Sequence, residues 1–177
     1  MDTLHALYQP KKLEKQLALK IAKKATSSKE AFKNLLRGVG EKDPQMAGRA
    51  AWCFSLAAEI KRDWANEYQG EVVAMLTLKS PPDMILRNLL RVLRSCNIDP
   101  RHFDCLTFYC FEWLEDLRQS IAIRAFALHI LGQICMGMPE IKPELKAIIE
   151  FYFMDENKKV SAGLSAAAKR VYQLCKD

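Results

Sequence analysis

The stretch QSIAIRAFALHILGQIC, residues 119–135, decides how the rest of the chain is read. It opens polar and then carries apolar or small residues on nearly every side, interrupted only by Arg124, His129 and Gln133. A helix that is apolar almost all round must be enclosed by other helices. Working outward, its Arg124 has counterparts in Arg49, Arg87 and then Gly163, at spacings of 38, 37 and 39 residues. Small residues follow at Ala50, Ala125 and Ala166, and large apolar ones at Leu56, Leu93, Leu131 and Val171. A period this regular predicts stacked helical hairpins, each covering the apolar face its neighbour exposes.

The segments between these points read as helices with recognisable ends. KKLEKQLALKIAKKA follows Pro10 and places Leu13, Leu17 and Ile21, with Leu19 beside them, in a narrow stripe among lysines. Thr26, Ser27 and Ser28 supply N-cap chemistry for a helix over Lys29 to Val39, ended by Gly38 and Gly40. Asp43-Pro44 opens the next, QMAGRAAWCFSLAAEIKRD, with proline where its missing N–H costs nothing. A further helix is predicted from Asn66 to Leu78, and Ser80-Pro81-Pro82-Asp83 breaks it and caps MILRNLLRVLRSC. RHFDCLTFYCFEWLEDL precedes the central stretch; PELKAIIEFYFMD and, after Glu156-Asn157, KKVSAGLSAAAKRVYQLC follow it. No run alternates as a strand does.

Composition bounds the function. The net charge of +6 is carried by residues 1–40, which hold nine Lys/Arg against three Asp/Glu, while the remainder is balanced. The basic character therefore reports one segment and not a nucleic-acid-binding surface spread over the fold. Six cysteines show no Cys-x-x-Cys pair and sit in apolar helical patterns, so they are expected as buried small hydrophobes in a reducing compartment, the cytoplasm. Even Ile121 to Met138 is interrupted by Arg124, too short a clean run to span a membrane.

These features together resemble HEAT-type repeats, with Ile123, Arg124, Ala127 and Leu131 matching an inner helix. The expected fold is all-α, a right-handed α-α superhelix of HEAT/armadillo type. It has about four helical hairpins and forms a single domain over residues 1–177. Residues 1–28 form a basic N-terminal cap, and 29–177 hold the repeats. A closer likeness lies in RAAW at 49–52, CFEWLED at 110–116, IRAFAL at 123–128, KPELKAIIE at 142–150 and SAGLSAAAKR at 161–170. Over about Asp43 to Cys175 the chain resembles a family of small helical-repeat proteins of Bacteroidetes, commonly labelled adenylosuccinate lyase. The mobile Ser-Ser-x-Met-Pro-x-Lys-x-Asn-Pro loop of that enzyme has no equivalent here. His5, His102 and His129 stand in unrelated contexts and offer no acid-base pair by spacing.

Cys105 and Cys110 lie some 140° apart on a helix and are expected in the core, as are Trp52 and Trp113. Arg87, Arg91 and Arg94 form the sharpest surface signal, within about 60° of one another and opposite Leu86, Leu89, Leu93 and Cys96. The alternative is an ordinary solvated face, or pairing with Glu112, Glu115 and Asp116. The sequence thus points to a non-enzymatic scaffold, without cofactor or metal, whose concave face receives a protein or peptide. Arg87, Arg91, Arg94, Arg124 and His129 are its candidate partner-binding residues. A nucleic-acid-binding HEAT-like protein is the second reading, and an adenylosuccinate lyase-related activity the third.

Overall fold

A computed structural model describes Leu7 and residues 13–77, 81–155 and 159–176; expectations for His5, Pro10, Ser80 and the Glu156-Asn157 break fall outside these. Ten α-helices and three short 3-10 turns are present among the described residues, and no strand. Contacts divide the chain into two compact units, residues 1–96 and 97–177.

In the first unit the helices are α1 (Lys15–Ala25), α2 (Lys29–Arg37), α3 (Pro44–Ile60), α4 (Arg62–Glu67), α5 (Gln69–Thr77) and α6 (Asp83–Arg94). Local chemistry fixes several of their starts. The Ser28 hydroxyl accepts from the Ala31 N–H at 3.1 Å, and the Asp43 carboxylate accepts from Gln45 N–H at 2.9 Å with Pro44 in the first turn. Helix α3 is the centre, in contact with α1, α2 and α6. The Met84 side chain of α6 lies over Gly48, where a Cβ would stand 1.9 Å from Met84 Cε. Within the same contact the Ser55 hydroxyl donates to Asn88 Oδ1 at 3.1 Å, and the Asn88 amide donates to the Met84 carbonyl at 2.7 Å. Two polar side chains are thereby satisfied in an apolar setting.

Helix α2 ends at the expected glycines, where Gly38 keeps φ −60° and the chain tightens into a 3-10 turn over Gly38–Gly40. Two other expectations are corrected. The helix expected from Asn66 starts earlier and is broken at Tyr68, giving α4 and α5. The break follows an aromatic cluster, since Trp64 and Tyr68 both turn onto the buried Phe32 ring, at 5.6 and 5.9 Å, with Phe54 on it at 5.0 Å. In the stripe of α1 Leu13 and Ile21 are buried as expected, but Leu17 and Leu19 are only half-buried, and Ala18, Ala22 and Ala25 complete the buried side. Alanine lets α1 lie close against α3, where leucine would hold it off.

The second unit consists of α7 (Phe103–Glu115), α8 (Ile121–Gly137), α9 (Lys142–Phe153) and α10 (Ala162–Leu174). The stretch that opened the sequence reading is α8, which packs on both α7 and α10. Ile123, Ala127, Leu128, Ile130, Leu131, Ile134 and Cys135 are buried. Gly132 permits the α8–α10 contact, because a Cβ there would meet Val171 Cγ2 at 2.9 Å. Helix α10 begins at a Ser161 cap, later than the sequence reading placed it, since a serine at the extended position offers its hydroxyl to the Leu164 N–H. Five of the six cysteines are buried free thiols, and Cys105 is the half-buried exception. Burial pushes the Cys53 thiol up to about 12 and Cys96 to about 11, values at which neither is a thiolate at neutral pH.

Candidate functional site

The five residues singled out by sequence fall in different units, and each unit settles them differently. In the first, α6 buries Ile85, Leu86, Leu89, Leu90, Val92 and Leu93, so the opposite side of the same helix is left to Arg87, Arg91 and Arg94. Arg87 and Arg94 are exposed and Arg91 is half-buried. Arg91 is held by Glu59 of α3, with its Nε at 2.9 Å and a terminal nitrogen at 2.6 Å from the same carboxylate oxygen. The acidic residues expected as alternative partners do not supply this pairing; Asp116 is engaged by Arg118. What sequence missed was Glu59, in the last turn of α3 and 32 residues before Arg91.

In the second unit Arg124 is half-buried, its Nε donating to the Leu114 carbonyl at 2.9 Å. Its guanidinium lies 5.1 Å from the centre of the Phe153 ring. Burial lowers its pKa from the ordinary arginine value, opposed by Tyr152 and Asp116. The cation thus sits at the C-terminal end of α7, where unsatisfied carbonyls and the helix dipole favour it. Arg49, its counterpart two repeat registers away, does the same kind of work: it is 8% exposed and donates to the Leu7 carbonyl at 2.8 Å. The periodic arginine is therefore a clasp on a neighbouring backbone in two of its three occurrences, and only Arg87 turns outward. His129 is half-buried on α8.

Two features had no clear signal in sequence. Asp99 and Asp116 each accept the backbone N–H of the arginine two residues on, at 2.9 and 3.0 Å, and bind its guanidinium through both carboxylate oxygens. These twin Asp-x-Arg clasps bracket α7. The Arg101 guanidinium holds the Asp99 carboxyl down to about 2. In the first unit a cleft of about 580 Å³ opens beside Val39, Ala47, Met75, Pro81 and Ile85. None of the five candidate residues lines it, and Glu71 at its edge is paired with Lys33 at 3.5 Å.

Among the described residues no group of three or more His, Cys, Asp or Glu is placed to hold a metal ion. No described helix is long and apolar enough to cross a membrane. Paired helices built on a repeated register, with an arginine clasp from the second helix of a pair, define a helical-repeat protein. The family model of the HEAT repeat domain matches residues 7–175, nearly the whole chain, and the chain belongs to that family. The match also takes in the N-terminal helix that the narrower likeness over Asp43 to Cys175 left aside. Neither the curated proteins nor the solved structures yield a match.

Proposed function

We propose that this HEAT-repeat protein is a non-enzymatic scaffold that holds an acidic segment of a protein partner on the arginine face of α6. The observation that carries the reading is that α6 buries Ile85, Leu86, Leu89, Leu90, Val92 and Leu93 in the core while Arg87 and Arg94 remain exposed and Glu59 holds Arg91 between them. A guanidinium anchored by one carboxylate keeps its remaining donors in a fixed plane, which suits bidentate capture of another. Stacked repeats present their surfaces as extended binding faces. Residues 1–28 are proposed to close the end of a single repeat domain, which the packing of α1 on α2 and α3 supports. Its setting is proposed to be the cytoplasm.

Replacing Arg87 and Arg94 with Gln while leaving Arg91 in place tests the assignment without disturbing the Glu59 pair. Titrating a fluorescent Glu-rich peptide should show weaker binding by the double variant, with the difference shrinking as salt rises. Unchanged affinity would discard the α6 face. A duplex probe serves as the contrasting arm: loss of two phosphate contacts would flatten the log-affinity against log-salt slope by about 1.8, and such a result would replace the protein partner with nucleic acid.

A further inference from the structure

Helix α7 has a solvent face unlike any other described here. At 100° per residue Asp104, Phe108, Glu112 and Glu115 fall within about 80° of one another, and all four are exposed, Phe108 at 60%. The helix contains no Lys or Arg in its 13 residues. The two arginines that bracket it, Arg101 and Arg118, are each held by their own aspartate. Among the described residues no ion pair engages Asp104, Glu112 or Glu115.

Folding does not ask for this arrangement. Glu112 and Glu115 occupy the last turn, where the helix dipole is itself negative and a cation would be stabilising. Nor does the core need Phe108, since Leu106, Cys110, Phe111 and Leu114 fill the buried side. Yet its ring is ordered from behind: it meets Tyr109 edge-on at 5.2 Å, and Tyr109 stacks on Trp113 at 5.6 Å. A pre-positioned aromatic loses little freedom when something covers it. Just past the helix end Leu117 and Ile121 add further exposed apolar surface, at 68% and 56%.

The geometry points to this stripe as a docking surface for a Lys/Arg-bearing amphipathic segment of another protein, with cations meeting Asp104, Glu112 and Glu115 and an apolar side seated on Phe108. Charge complementarity selects the occupant. Three carboxylates without a local cation attract a basic segment and repel an acidic one, and an aromatic face among them adds cation–π attraction for Lys or Arg. The surface belongs to the second unit and is opposite in sign to the arginine face of α6, which belongs to the first, so either assignment can fail without the other.

The test is an anisotropy titration of the full chain with a labelled synthetic helix of Lys and Leu. The wild-type chain should bind it at low salt. Glu112→Gln with Glu115→Gln should weaken binding by about threefold or more as two exposed charge contacts are lost. Phe108→Ala should weaken it by about tenfold, as expected of a central aromatic anchor. Phe108→Leu keeps apolar area but not the π face and should fall between; it also carries the test if the alanine variant melts early. A chain that ignores the peptide overturns the proposal. So does one whose affinity drops with the Gln pair but not with Phe108→Ala, which would reveal a diffuse field with no seat. Concentration-dependent self-association in sedimentation that the Gln pair abolishes would make the occupant a second copy and equally overturn it.

Discussion

Helices α6 and α7 are neighbours in sequence, nearly equal in length at 12 and 13 residues, and lie in different units. Each buries leucines on one side and shows a charged row on the other. In α6 the row is basic and ends with Arg91 and Arg94 in the last turn, where the helix dipole welcomes them. In α7 the row is acidic, carries a central exposed Phe108, and has no basic residue in its last turn. The fold needs only the buried sides to be alike. The difference between the outer sides is thus a property of the surface, and in α7 it opposes local helix stability.

Predictions follow from breaking this pairing at its shared level first. Leu89→Ala in α6 and Leu114→Ala in α7 remove equivalent fully buried side chains, and each should lower unfolding free energy by about 2–5 kcal/mol in urea denaturation. A cost below about 1 kcal/mol at either site would mean that the two hidden faces are not equivalent. Next in size is the arginine clasp. Arg49→Met leaves the buried Leu7 carbonyl without its donor and should cost about 1–3 kcal/mol. Arg87→Met, in the matching register but exposed, should change stability by less than about 0.5 kcal/mol. If the two melt alike, the clasp is not what holds Leu7. The smallest effect sharpens the contrast directly. Glu115→Lys places a cation at the α7 terminus and should raise stability by about 0.3–1 kcal/mol, while Arg94→Glu in α6 should lower it by a similar amount. Both shifts should shrink in high salt, and a Glu115→Lys chain no more stable than wild type would remove the argument that α7 keeps its acids at a cost.

Several features were legible in the residues because they are local. The apolar girth of α8, the Ser28 and Asp43-Pro44 caps and the 37–39 residue register all follow from side-chain type and spacing along one chain. Legibility was poorer wherever two distant segments compete for one side chain. Tyr68 breaks a helix because Phe32 is there to receive it. Arg91 is anchored by Glu59, not by the acids of α7. Arg124 had the sequence signature of a groove residue, and its geometry ties it to Leu114 and Phe153.

By itself, then, the sequence determined the helical class, the repeat register and which helix sides are apolar, because hydrophobic periodicity and capping act within a few residues of each other. Only the tertiary structure decided which arginines are consumed by backbone carbonyls and which face solvent, and that Asp104, Phe108, Glu112 and Glu115 stand together with no ion pair among the described residues. A long charged side chain reaches whatever partner packing brings within about 3 Å, and periodicity along one helix carries no information about what the neighbouring helix places there.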